Sequence, residues 1–372
     1  MNVLRRLALS RLLLLCALVV AIGVCATALA SALTAGPTPP PKPLAQAIHD
    51  ALAGANAKPI EGISANITFT DRLLEGASLA SGGHSGELTS SPLVTGASGR
   101  LWASNSGELR VELQSEQGDT QILYAGHSLT VYDAATNTEY RYTPPAQPGA
   151  RENTEAQAVP SLTKIEAAIS DLSRDADLSG ATPTDVAGQP AYTVRVSPKQ
   201  AGSLFGAVEL SFDAVQGVPL RAAVYSSDSS APVIELAATE ISYGPVSGSV
   251  FELNPPTNVK VEELSLHERD RAGSPGAGAA RARGHDGARP KITTFGHGPS
   301  TVAVLEAKSS SATRSGEGEA LEGLPKVSID GVSASELRTE LGTLLTFERG
   351  GVRYLLAGAV PPASVEAVAR GL

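Results

Sequence analysis

Between residues 206 and 256 apolar and polar positions alternate with a period of two, broken only by turn residues. Val208, Leu210 and Phe212 interleave with Glu209, Ser211 and Asp213, the pattern of a strand with one face buried. Gly217 and Pro219 turn the chain. Leu220, Ala222 and Val224 then interleave with Arg221, Ala223 and Tyr225. After a polar tip at 226–230, Ile234, Leu236 and Ala238 line one face of a longer strand that ends near Tyr243, where Gly244-Pro245 stops it. The apolar run 250–253 precedes Asn254-Pro255-Pro256. Three strands with short links predict an antiparallel meander buried on one face.

Upstream, Leu44, Ala47, Ile48, Ala51 and Leu52 follow helical spacing, and Gly54 and Pro59 are expected to end that helix. Ile63, Ala65, Ile67 and Phe69 share one face of a strand over 60–72. The Gly/Ser-rich stretch 73–96 reads as a loop. Short strands are predicted at 99–104, 108–115, 120–125, 128–133 and 138–143, separated by turn signals such as Asn105-Ser106-Gly107. Together they read as all-antiparallel. Residues 144–160 are polar and irregular. Leu162, Ile165, Ile169 and Leu172 form a stripe on a helix over 161–174, with Ser161 near its start and a capping box open to Thr163 and Glu166. Tyr192, Val194 and Val196 restart the sheet.

Residues 262–289 lack periodicity and large apolar side chains, so they read as a disordered linker. A second, small α+β unit is expected over 290–372. Its strands are placed at 301–305, 326–329, 344–348 and 353–357, with Gly350-Gly351 as a hairpin turn. A terminal helix opens at Pro361-Pro362. The sheet domain is bounded at 44–261, behind a stiff Pro-rich spacer at 36–43.

The N-terminus changes the cellular picture. A basic stub, residues 1–11, precedes 24 uncharged residues, 12–35, long enough to cross a bilayer as a helix. Arg5, Arg6 and Arg11 before it orient the stub to the cytoplasm. The alternative is a cleaved signal peptide, which Ala28-Leu29-Ala30 fits as a small-x-small cleavage site. Either way the body is exported, as a single-pass membrane protein or a secreted one. Net charge is −9, which argues against nucleic-acid binding. Both cysteines, Cys16 and Cys25, fall in the apolar run, so the exported part has no thiol chemistry.

Catalytic signals are weak. Ser161-Leu162-Thr163-Lys164 fits S-x-x-K, but the accompanying S-D-N and K-T-G elements are missing. His49, His84, His127, His267, His285 and His297 show no metal-ligand spacing. There is no Walker loop or dinucleotide fingerprint, so no cofactor, metal or enzymatic activity is expected. What remains is an apolar surface: Leu109, Val111, Leu113, Val194, Val208, Leu210, Phe212, Leu220 and Val224 from the sheet, with Ile165 and Ile169 from the helix. Read from the residues alone, these fit ordinary core between sheet and helix as well as a ligand cavity.

The order Asp213, Gly217 with Pro219, Tyr243-Gly244, Phe251 and Pro255-Pro256 resembles the end of the sheet in the bacterial LolA/LolB lipoprotein-carrier superfamily, which has RseB-type envelope-stress sensors among its relatives. Gly296, Gly298, residues 301–305 and 358–362 resemble the tail of exported actinobacterial members. The resemblance implies a mainly β fold, with a curved antiparallel half-barrel covered by helices over an apolar cavity. It implies a non-enzymatic extracytoplasmic carrier or sensor of lipid or lipoprotein acyl chains. The alternative is an envelope regulator that binds a membrane protein partner, such as an anti-sigma factor, without lipid cargo.

Overall fold

The structure, a computed structural model, describes residues 36–57, 59–75, 92–116, 118–144, 159–264, 291–308 and 324–372. The basic stub, the apolar run 12–35 with both cysteines, most of the predicted linker, His84, His267 and His285 lie outside the described residues. So do most of the loop expected at 73–96 and of the irregular stretch 144–160. Among the described residues no helix is long and apolar enough to cross a membrane.

In chain order the first elements are α1 (Leu44–Ala57), β1 (Gly62–Asp71), the short α2 (Pro92–Thr95), β2 (Ala97–Ser104), β3 (Leu109–Ser115), β4 (Gly118–Ala125), β5 (Ser128–Asp133) and β6 (Thr138–Tyr142). Then follow α3 (Leu162–Leu172), β7 (Ala176–Leu178), β8 (Thr182–Val186), β9 (Gln189–Pro198), β10 (Phe205–Asp213), β11 (Pro219–Ser226), β12 (Pro232–Tyr243) and β13 (Lys260–Leu264). These strands form one sheet in the order β13-β6-β5-β4-β3-β2-β1-β12-β11-β10-β9-β7, with β8 also on β9. Its two ends do not pair, so the sheet is open, not a closed barrel.

The meander read from alternation is β10-β11-β12, with Val208 opposite Val224 and Ala222 opposite Leu236. Chain order and sheet order part company at β1. It lies between β2 and β12 and joins the two halves, pairing on both sides along most of its length.

Several expectations are corrected. The sheet is not all antiparallel: β13 runs parallel to β6. That strand also takes residues 262–264 out of the expected linker. Its sequence, Lys-Val-Glu-Glu-Leu, has no apolar face to read, because it lies exposed at the sheet edge. β8, Thr-Pro-Thr-Asp-Val, also went unread: its mostly polar residues show no apolar alternation, although all but Thr182 are half-buried. The Ala187-Gly188 turn, with φ of 56° and 73°, folds it back on β9. Residues 248–251, which reach into the apolar run 250–253, form a 3-10 turn. The N-cap of α3 is Ser161, whose side chain accepts from the Lys164 backbone N–H at 3.4 Å, so the capping box at Thr163 is not used.

Gly54 does not end α1, which runs on to Ala57. The glycine is there because the Val215 carbonyl of the β10–β11 turn sits where a Cβ would be. Gly217 faces the same constraint from the other side. Its φ is 69°, and a Cβ would meet the Ala51 carbonyl at 2.6 Å. Two glycines thus let helix and turn touch backbone to backbone. The Pro-rich segment is likewise docked: the Tyr192 hydroxyl donates to the Pro40 carbonyl at 2.6 Å, and Lys42 bridges to Ala181.

A second sheet contains β14 (Lys291–Phe295), β15 (Val302–Lys308), β16 (Lys326–Ile329), β17 (Val332–Thr339), β18 (Gly342–Arg349) and β19 (Val352–Gly358) in the order β14-β15-β19-β18-β17-β16. The terminal helix α4 (Pro362–Arg370) packs on it through Val365 and Ala369, both fully buried. The two sheets meet at the tip of the β9–β10 hairpin. The Ala359 carbonyl accepts from Leu204 N–H and Ser203 Oγ, each at 2.8 Å. The chain is therefore mainly β, built of large, predominantly antiparallel sheets with few helices.

Candidate ligand-binding site

Residues paired directly across a ladder share a face, and neighbours along a strand do not. Following the registers outward from Leu210 gives one apolar face. Leu210 pairs with Val194 and Ala222, Ala222 with Leu236, and Leu236 with Phe69. On the far half, Gly99 pairs with Leu113, Leu101 with Val111, and Ala103 with Leu109, continuing that face from β1. Eight of the nine strand residues named as candidates therefore lie on one side of the sheet; Leu220 falls at the bulge where Phe212 pairs with Pro219 and belongs to no ladder pair.

They do not all meet at one place. Ile165, Ile169, Val194, Val208, Leu210 and Phe212 line a cavity of about 550 Å³ between α1, α3 and the β9–β10 strands. Leu113 and Val111 instead join a small core cluster with Ala65 and Ile67, and Leu109 sits half-buried beyond it on β3. Leu220 is buried at the start of β11, and Val224 is half-buried; neither lines the cavity. Alternation assigns a residue to a face but says nothing of its position across the sheet, so β3 could not be separated from β10.

The cavity also uses residues that were not named as candidates. α1 contributes Leu44, Ile48, Ala51 and Leu52, and α3 adds Lys164, Ala168 and Leu172. The amphipathic stripe of α1 was legible. Its approach to α3, more than a hundred residues away, was not.

The walls are apolar yet poorly covered. Leu210 is 40% exposed, Leu172 47% and Leu52 41%. On α3 only Ile165 is buried. The helix packs on α1 more than on the sheet, and so stands off the strands it covers. Its C-terminal end is tied to the β9–β10 loop by Lys199 Nζ, which donates to the Ser173 carbonyl.

The opposite face of the same strands is charged. Arg221 donates to Glu209 at 2.9 Å, to Glu235 and to the Tyr225 hydroxyl; Tyr225 donates to Glu209 at 2.7 Å; Arg195 donates to Glu209 at 2.9 Å. The Arg195 guanidinium also stacks 4.4 Å over the Tyr225 ring. Burial pushes the Glu209 carboxyl up, but hydrogen bonds from Arg221, Tyr225 and Arg195 outweigh it and hold the pKa below its ordinary value. At the base of the meander, the Tyr243 hydroxyl donates to buried Asp213 at 2.7 Å. Burial and that carboxylate raise the tyrosine's pKa.

Ser161 and Lys164 do not form an acylase dyad. The serine oxygen is engaged in capping, and the lysine faces the cavity. Among the described residues no cluster of three or more metal-ligating side chains occurs.

No family model and no curated protein matches the chain. Solved structures do. The MucA/MucB complex of Pseudomonas aeruginosa is 13% identical, with 88% of this chain and 96% of that chain covered and a TM-score of 0.42. An uncharacterized conserved protein from Thermus thermophilus is 12% identical, covering 59% and 99%, with a TM-score of 0.36. A LolA superfamily protein from Nitrosomonas europaea is 12% identical, covering 56% and 98%, with a TM-score of 0.21.

Proposed function

We propose that the chain is a non-enzymatic, extracytoplasmic binding protein that takes the acyl chain of a lipid or lipoprotein into the cavity between α1, α3 and β9–β10. The observation that carries this reading is the exposure of Leu210, Leu172 and Leu52 around a cavity with apolar walls. A packed domain core would cover such side chains, whereas a site awaiting an apolar ligand leaves them open. Lipid extraction and mass spectrometry of the purified protein should recover an acyl-chain ligand. Ile169→Asp should abolish its recovery while lowering the stability of delipidated protein by less than ~1 kcal/mol, since the new carboxylate can reach water. Unfolding of that variant, with no lipid recovered from the wild type, would reject the reading.

A second reading, an envelope regulator that binds a membrane protein partner without lipid, draws on β14. Among the described residues this strand is an edge of the second sheet and leaves Ile292 71% and Phe295 39% exposed, and an unpaired apolar edge favours strand addition. A partner retained at full affinity by protein stripped of all lipid would support this reading over the first. Both place the body outside the cytoplasm, following the uncharged run 12–35 and the arginines before it. A C-terminal reporter that works only in the cytoplasm should therefore be silent.

A further inference from the structure

Resting on the acyl-binding reading, we infer that the cavity selects a single-chain amphiphile with an anionic head, and that Lys164 is the residue that reads the head. Two observations carry this. The first is capacity. A methylene takes about as much room as a water molecule, ~30 Å³, so the 550 Å³ cavity holds one long acyl chain and not two or three. Further chains would have to lie on the neighbouring row of β11 and β12, where Leu236 is 39% exposed. There they would remain half in water and gain much less from burial.

The second observation is charge. Among the described residues that line the cavity, Lys164 is the one charged side chain. It is exposed and, among the described residues, makes no side-chain hydrogen bond or ion pair. Its position is set by Ser161, which caps the first turn of α3 through the Lys164 N–H. An ammonium on a long flexible stem at the rim of an apolar cavity can meet a carboxylate or phosphate while its methylenes lie along the wall. The shared chemistry is a singly acylated anion, supplied either by a free fatty acid or by a lysophospholipid.

The test measures binding to delipidated protein of five probes: hexadecanoic acid, its methyl ester, palmitoyl lysophosphatidic acid, dipalmitoyl phosphatidylglycerol and a tripalmitoylated cysteine peptide. The two single-chain anions should bind one to one and more tightly than the two- and three-chain lipids. Whichever of the two binds tighter identifies the head group. The methyl ester should bind about two- to fivefold more weakly than the acid, the range for an ion pair near water. Lys164→Met should erase that difference, and Lys164→Arg should keep it. Equal binding of acid and ester in the wild type, or tighter binding of the tripalmitoylated peptide, would overturn the inference while leaving the acyl-binding reading intact. Failure of all five probes to bind would overturn both.

Discussion

The two sheets each carry an amphipathic helix, and the helices do opposite things. α4 presses Val365 and Ala369 fully into a cluster with Val304, Ile329, Leu345 and Leu356, all of them closed to solvent. α3 has a comparable apolar stripe, yet buries only Ile165 and leaves Leu172 47% exposed. What differs is what each helix leans on. α4 follows β19 after a short turn and lies directly on β18 and β19. α3 leans on α1, which is itself seated on the β10–β11 turn by Gly54 and Gly217. A helix held up by another helix does not need to touch the sheet. The comparison shows that an apolar stripe specifies burial only where nothing else holds the helix away.

The sharpest way to break this comparison is a pair of matched truncations. Leu345→Ala, in the closed core, should cost about 2–5 kcal/mol. Leu210→Ala, at a 40% exposed position facing the cavity, should cost less than ~1 kcal/mol. Denaturant unfolding of the two variants measures both, and equal losses would mean that the cavity is packed core.

A smaller effect concerns what steadies the open sheet from behind. Arg221→Met removes the donor that joins Glu209, Glu235 and Tyr225, and should cost about 1.5–3 kcal/mol, the range for hydrogen bonds to charged groups. The same network makes stability depend on pH. Glu209 is held below its ordinary value of 4.5 in the folded state. Its contribution is therefore present above that value and is lost as pH falls through the lower folded pKa. Unfolding curves at pH 7 and pH 3 should show the wild type losing more stability on acidification than Arg221→Met does. Parallel losses would mean that the network does not hold the carboxylate.

How much of this was legible follows from which forces are local. Every long alternating run became a strand in the expected place, and β5 matched to the residue. The strands that went unread, β7, β8, β13, β14 and β17, lie at edges or carry polar residues such as buried Glu336, which pairs with Arg338 through one oxygen. Their pairing comes from neighbours, not from their own pattern. The same division runs through the candidate site. Six of its eleven expected residues line the cavity, and the other five lie elsewhere on the same face or at the start of β11.

The sequence by itself determined which side of each strand is apolar, because side-chain direction has a period of two whatever the strand pairs with. It also determined where the chain turns, and that α1 and α3 would be one-sided. Only the tertiary structure decided that β1 would join the two halves of the sheet and that β13 would return parallel to β6. It alone decided that α1 would hold α3 off the strands. Those choices depend on contacts between residues tens to hundreds of positions apart, and no local pattern records them.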